Sequence, residues 1–322
     1  MRKMLFLLVL CSVALYSCKK DNAISDICDV RKSGLKGNVR YVHESCYWAE
    51  KTPYGEYKKG EQTNIARMVD TFERYFNQQG NIEKVVSSYS IVDNDTYYCT
   101  FYDENNRIIK KQCIGVDKKS KKQEIYSEAF FTYDAMGRLM QVKEGNESIY
   151  YTYQNEMQNS QCVQEDSRYD GELKQRSVMK YDGNGFLSER MELYFNDEGG
   201  CTLGSIKGFL NNGKGQIIKA STYDNYAEVM EEESYSYDEY GRVIEIQCKN
   251  QYGQSIEKKR YDSNGNIVEE KYYRNGEYEQ GYKYQYKLDG ENNWIEKTIL
   301  EDIDGDGNFV PEQIEVRQIS YY

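Results

Sequence analysis

Proline is nearly absent from this chain: Pro53 and Pro311 are the only two in 322 residues. Proline cannot donate to a β-ladder, so its scarcity leaves room for long uninterrupted strands. Histidine is scarcer still, with His43 alone, which reduces His-based catalysis to a single candidate. Positive charge is in deficit, 42 basic residues against 53 acidic ones for a net charge of −11. Such a chain lacks the basic footprint that a phosphate backbone requires, which argues against a nucleic-acid partner. No CxxC pair or histidine cluster speaks for zinc. Aliphatic residues and phenylalanine make up only roughly a fifth of the chain, close to the range where disorder sets in. What offsets this is tyrosine, 33 of them. A tyrosine buries a large ring and still satisfies its hydroxyl at the edge of a thin sheet.

The tyrosines belong to a phrase. Residues 261–267 read YDSNGNI, and close variants begin at Tyr102, Tyr133, Tyr181 and Tyr237. Degenerate copies begin at Phe76, Asn211 and Leu288, and YQNEM at Tyr153 reads as a worn one. An aspartate opening a turn accepts backbone N–H bonds from two residues on, and a glycine closing it takes the left-handed conformation of a bulged type I hairpin. The flanks alternate as half-buried strands do. In YKYQYKLD, Tyr282, Tyr284, Tyr286 and Leu288 fall on one face, and Lys283, Gln285 and Lys287 on the other. Copies recur at intervals in the twenties, the mark of a repeat array rather than a packed globule. Second turn signals, Gly145-Asn146, Tyr252-Gly253 and Asn275-Gly276, lie between copies. Each unit is therefore two strands and two turns.

Tyr-Asp-x-x-Gly-Arg-Leu, as at Tyr133 to Leu139, resembles the YD repeat of the Rhs family over roughly residues 70–295. Its signature positions here are Tyr102, Asp103, Tyr133, Asp134, Gly137, Tyr181, Asp182, Gly185, Tyr237, Asp238, Gly241, Tyr261, Asp262 and Gly265. The resemblance implies an antiparallel sheet that coils along its length, which in large Rhs proteins forms a shell around a toxic domain. No proline-containing motif ahead of a variable tail is present, so the nearer likeness is to short lipoproteins carrying such repeats.

The opening MRKMLFLLVLCSVALYSC supports that likeness. Arg2 and Lys3 precede an apolar run too short to span a bilayer, as in a secretory signal peptide. Leu15 to Cys18 resembles a lipobox, implying cleavage before Cys18 and acylation of that cysteine, and two or more acyl chains give stable anchoring. The aspartate that favours inner-membrane retention is absent after Cys18, where Lys19 stands. The chain thus divides into a signal peptide (1–17), a lipidated cysteine with a polar tether (18–31), N-terminal capping strands and a loop (32–75), and the repeat array (76–322). Strand candidates in the capping stretch are 39–47 and 68–76. Seven cysteines remain after processing, Cys28, Cys46, Cys99, Cys113, Cys162, Cys201 and Cys248. Their odd number and irregular spacing suit thiols, with Cys99 placed opposite about residue 110.

Chemistry has few footholds. His43 lies near Ser45 and Cys46, but neighbours two and three apart on a strand do not converge as a nucleophile pair must. Glu228, Glu231, Glu232 and Glu233 read as a solvated, edge-protecting run rather than a catalytic constellation. Asp302, Asp304 and Asp306, followed by Gly307, match the opening of a calcium loop, although its twelfth position is Gln313 instead of a bidentate glutamate. Trp294 stands where other copies carry Ile, Leu or Val, a core-facing position, and Trp48 lies outside the regular repeats.

The sequence predicts an all-β protein: an elongated, twisted antiparallel sheet of repeated hairpins, open or partly curled. It reads as a non-enzymatic lipoprotein of the bacterial outer membrane, anchored by lipid, with the sheet as a binding or scaffold surface for a glycan or protein. No cofactor is called for beyond calcium at the Asp302 loop. The alternatives are an envelope hydrolase using carboxylates or the calcium loop, and a cargo-less accessory of an Rhs-type toxin system.

Overall fold

A computed structural model describes residues 28–65, 69–89, 92–302 and 305–322. The signal peptide, Cys18, most of the tether and Asp304 lie outside the described residues, as does residue 68 at the start of one expected strand. After a single helical turn, α1 (Asp29–Lys32), every element is a strand. They begin with β1 (Val39–Lys51), β2 (Tyr57–Thr63), β3 (Thr71–Phe76), β4 (Ile82–Ser88), β5 (Asn94–Tyr102), β6 (Ile108–Asp117) and β7 (Gln123–Tyr133). Next come β8 (Leu139–Glu144), β9 (Glu147–Tyr153), β10 (Cys162–Tyr169), β11 (Glu172–Tyr181), β12 (Leu187–Phe195), β13 (Cys201–Asn211), β14 (Ile217–Tyr223) and β15 (Val229–Tyr237). The chain ends with β16 (Val243–Asn250), β17 (Gly253–Tyr261), β18 (Ile267–Arg274), β19 (Glu277–Leu288), β20 (Trp294–Asp302) and β21 (Val310–Tyr321).

The strands cluster into two compact units. One comprises Phe130–Ser234, a meander in which β8 through β15 pair as successive antiparallel neighbours. The other comprises Cys28–Ala129 and Tyr235–Tyr322. Within it the first strand is bonded on both edges. β1 pairs with β21 from Val39↔Tyr321 to Trp48↔Gln313, and on its other edge with β3 from Tyr41↔Tyr75 to Ser45↔Thr71. β2 continues that second edge, from Cys46↔Thr63 to Lys51↔Tyr57.

This pairing corrects the expected architecture. An elongated array has two free edges, whereas here the first and last strands bond to each other. In strand topology the sheet is an antiparallel closed barrel of 20 strands with one extra strand, β2. The physical reason is the cost of an edge: an unpaired strand exposes a row of N–H and C=O groups, which closure removes. The stretch 32–75, expected as a cap, supplies β1, the strand that makes the closure.

The second unit keeps its densest core beside that closure. Val30, Leu35, Val39, Val42 and Phe76 are buried together, flanked by Cys28, Ile82, Ile319 and Tyr321. Fully burying side chains of this kind stabilises by about 1.5–3 kcal/mol each. Polar bonds fasten the same place. Val30 N–H donates to the Gly80 carbonyl at 2.9 Å, and the Asp29 carboxylate accepts the Ile82 N–H at 2.8 Å. The buried Asn293 side chain accepts the Lys36 N–H at 2.7 Å and donates to the Lys36 carbonyl at 2.8 Å.

Candidate functional site

The repeated phrase folds into one turn, used ten times among the described residues. In each, the side-chain oxygen of the opening Asp or Asn accepts the N–H four residues on. The residues are Asn77, Asp103, Asp134, Asp182, Asn196, Asn212, Asp224, Asp238, Asp262 and Asp289. The residue three positions on has a left-handed backbone: it is Gly in seven turns, Asn106 and Asn292 in two, and Ala227 in one. Where an arginine follows the glycine position, the aspartate clamps it too. Asp238 Oδ2 receives Arg242 Nε at 2.6 Å, Asp134 receives Arg138 Nε at 2.7 Å, and Asp103 receives Arg107 Nε at 2.8 Å. These backbone and guanidinium donors outweigh what desolvation there is, holding the Asp103, Asp134 and Asp238 carboxyls below the usual range.

The tyrosine of the phrase links one repeat to the next. Tyr261 donates from its hydroxyl to the Val243 carbonyl at 2.9 Å, while Arg242 covers its ring with the guanidinium 4.5 Å from the centroid. Tyr153 does the same to the Leu139 carbonyl at 2.8 Å beneath Arg138. Tyr102 reaches the Ile82 carbonyl at 2.8 Å, and Asn211 reaches the Leu187 carbonyl with its amide at 2.8 Å. For Tyr261, Tyr153 and Tyr102 the acceptor is the residue just past the preceding turn of this kind, and for Asn211 it is the residue just past the Asp182 turn, with the Asn196 turn in between. Tyr181 instead reaches the Cys162 carbonyl, at 2.7 Å. Tyr153 keeps this bond although its own turn is replaced by a longer loop closed by Gln154 N–H to the Gln161 carbonyl.

Two turns escaped the sequence reading. Asn196 opens FNDEGGC, which ends in cysteine where the phrase has an aliphatic, and Asp224 opens YDNYAEV, which has alanine at the glycine position. The Tyr-Asp pair at Tyr223 was the signal available for the second.

Both faces of the sheet carry ion pairs. On β17 and β18, Lys259 pairs with Glu257 at 2.8 Å and with Glu270 at 3.7 Å, while the adjacent Arg260, pointing the other way, pairs with Glu269 at 3.6 Å. In the other unit, Lys180 pairs with Glu189 at 2.6 Å, and the next residue, Arg190, pairs with Glu165 at 3.4 Å from the opposite face. Successive strand residues point to opposite sides, so neither side is apolar at these strands. Glu232 and Glu233 behave likewise, bonded to Lys219 at 2.6 Å and to Lys207 at 3.0 Å.

Tyrosine and carboxylate meet densely on one face of β17–β21. Tyr284 donates to Glu270, Tyr272 to Glu257 at 3.3 Å, and Tyr282 to Glu301 at 3.3 Å. Tyr282 and Tyr284 stack with centroids 6.4 Å apart. Glu301, together with desolvation, pushes the Glu312 carboxyl up to about 7, while Glu301 is lowered. Trp294 lies under Arg317, whose guanidinium is 3.5 Å from its centroid and which bonds Glu44 at 2.6 Å. Trp48 is 45% exposed.

The remaining candidates are not brought together as a catalytic set. His43 faces Glu73 at 3.8 Å. Cys46 points to the other face, where its buried thiol is pushed up to about 11 by desolvation and donates to Gln313 Oε1 at 3.7 Å. A thiol held protonated in this way is a poor nucleophile. The seven described cysteines are free thiols. Cys99 pairs with Gln112 rather than residue 110, because the bulged turn between Tyr102 and Ile108 takes up more residues than a tight hairpin.

At the Asp-rich loop, Asp302 is buried at the end of β20. Its Oδ2 accepts the Tyr278 hydroxyl at 2.7 Å and the Gly307 N–H at 3.1 Å, and its Oδ1 has no partner among the described residues. Asp306 is exposed and accepts the Asn308 N–H at 2.8 Å. Among the described residues no three side chains of His, Cys, Asp or Glu are grouped as metal ligands.

These features define an all-β, antiparallel barrel built from one repeated turn. No protein-family model matches the sequence, and no curated protein matches it either. Solved structures similar to it include a porin-like protein from Bacteroides uniformis, at TM-score 0.34 and 9% identity, covering 88% of this chain and 98% of that one. TcdB2-TccC3 without its hypervariable C-terminal region is similar at TM-score 0.32 and 9% identity, with 85% of this chain covering 18% of that chain. At these scores the architecture rests on the strand pairing itself.

Proposed function

We propose that the protein is a non-enzymatic lipoprotein of the bacterial outer membrane, held by lipid on Cys18, whose YD-repeat sheet works in water as a binding or scaffold surface. One observation carries this reading: adjacent residues of the same strands, Lys259 and Arg260, form ion pairs on opposite faces of the sheet. A barrel that spans a membrane needs an outward apolar band about 25 Å tall. Charges on both faces fit water on both sides, and a lipid on the tether then supplies the membrane attachment. The partner is a glycan or a protein. Turn residues support this by offering exposed rings, Tyr226 at 80% and Tyr240 at 75%, of the kind that stack on sugars or enter protein interfaces. The hydrolase and toxin-accessory alternatives have no comparable observation behind them.

Fractionation of cells producing the native chain and Cys18→Ala tests the anchor. The native protein should sediment with membranes and the variant should become soluble. Equal sedimentation of both would overturn the lipid-anchor reading.

A further inference from the structure

Asp302 presents an unusual combination. Its side chain is 2% exposed, both oxygens sit at the mouth of the β20–β21 loop, and among the described residues only one of them is bonded. Oδ2 takes a hydroxyl donor from Tyr278 and a backbone donor from Gly307, whereas Oδ1 takes none from the described residues. No lysine or arginine among the described residues pairs with it. Lys283, which is on the same face, places its ammonium over the Phe309 ring instead, 3.9 Å from the centroid. Buried carboxylate oxygens are expensive to leave without a donor or a cation, and an orphan of this kind calls for an unseen occupant.

The loop supplies what such an occupant would need. The Gly307 bond folds the Asp306–Gly307 peptide back onto the Asp302 carboxylate, and left-handed Gly305 and Gly307 make the turn tight enough for this. Asp306 adds a second carboxylate at the exposed rim. An oxygen-only set on a tightly turning backbone, open to water on one side, suits a hard cation that accepts carboxylates, carbonyls and waters in flexible geometry. Calcium fits that description better than magnesium, which demands a stricter octahedron. Asp304 lies outside the described residues, and the geometry above stands without it.

We propose that the orphan Asp302 oxygen and the Asp306–Gly307 turn folded onto it form a calcium site that locks the β20–β21 loop. This is independent of the lipid anchor and of the binding role of the sheet. The test is calorimetric titration of the EDTA-stripped protein with calcium chloride, with magnesium chloride as the comparison, alongside thermal melts. Calcium should bind saturably with one site per chain, bind more tightly than magnesium, and raise the melting temperature. Asp302→Asn should abolish that binding. In EDTA, however, it should melt no lower than the native chain, because a neutral amide removes the unpartnered charge and still accepts the Tyr278 bond. A purely structural aspartate would instead give a variant that melts lower with or without calcium. Asp306→Asn, at an exposed turn position that does not threaten folding, should weaken calcium binding by on the order of tenfold. Absence of saturable calcium binding by the native chain, or unchanged affinity in Asp306→Asn and Asp302→Asn, would overturn the proposal.

Discussion

The Tyr261 hydroxyl donates to the carbonyl of Val243 at 2.9 Å, and the two residues belong to neighbouring copies of one phrase. Arg242, between them in space, lies over the Tyr261 ring and is held in turn by Asp238. The motif Y-D-x-x-G-R-V is therefore a link as well as a turn. Its aspartate orders the arginine, the arginine covers the next tyrosine, and that tyrosine closes on the residue after the arginine.

Loss of one such hydroxyl should be measurable. Tyr261→Phe keeps the ring and removes the donor to a backbone carbonyl, which should cost about 1 kcal/mol. Chemical denaturation should show a lower midpoint for Tyr261→Phe and none for Tyr252→Phe, whose side chain is 84% exposed.

The opening acid of the turn should tolerate an amide better than a methyl. Asn77, Asn196 and Asn212 accept the same backbone bond that Asp238 accepts. Asp238→Asn should thus lose only the charge on Arg242, and Asp238→Ala should lose both. Melting temperatures should rank native, then Asn, then Ala. Because the Asp238 carboxyl is lowered, its contribution is present at neutral pH and is lost as pH falls below the ordinary aspartate value of 3.8.

Among the ten turns, Ala227 holds the left-handed position with neither glycine nor asparagine, at φ of 64° where seven other turns place glycine. A left-handed backbone costs an ordinary residue about 1–2 kcal/mol. Ala227→Gly should therefore stabilise the protein by about 1 kcal/mol, part of the gain being lost to the greater freedom of the unfolded chain. A lower denaturation midpoint would contradict this.

The raised Glu312 carboxyl makes stability pH-dependent. Its folded value is raised to about 7 from an ordinary 4.5, so the stabilisation is complete below about 4.5 and fades as pH rises through 7. Glu312→Gln keeps a permanent donor toward Glu301. The variant should gain about 1 kcal/mol over the native chain at pH 8, allowing for solvent screening at a half-exposed site. The two should be nearly equal at pH 4.5. Parallel melts across that range check both statements.

The turn was legible because its chemistry is local: an acid or amide, a left-handed residue, and hydrogen bonds spanning four residues. Asn196 and Asp224 were missed where one element of the phrase had been exchanged, cysteine for an aliphatic at Cys201 and alanine for glycine at Ala227. They are the second turns of two units already counted, Asn196 between Tyr181 and Asn211 and Asp224 between Asn211 and Tyr237, so the spacing of the units stands. Alternation was legible too, since Tyr284 and Tyr286 are half-buried while Gln285 and Lys287 are exposed. Closure was not. The pairing of Val42 with Ile319 joins positions at opposite ends of the chain, and nothing within either strand records its partner. The same holds for the Glu44–Arg74–Arg317 contacts, which come from β1, β3 and β21. The Asp302 loop was visible as spacing, but the unpartnered oxygen was visible only in three dimensions.

The central claim is that this closed sheet belongs in water on both faces and owes its membrane attachment to lipid. The most direct measurement is folding of the chain from Lys19 onward, without signal peptide or Cys18, in detergent-free buffer. The account predicts a soluble monomer with a strand-type circular dichroism spectrum and a cooperative melt, both unchanged by added detergent micelles. A chain that aggregates in buffer and reaches its strand structure only in micelles or lipid would contradict it, and would make the sheet itself the membrane-embedded part.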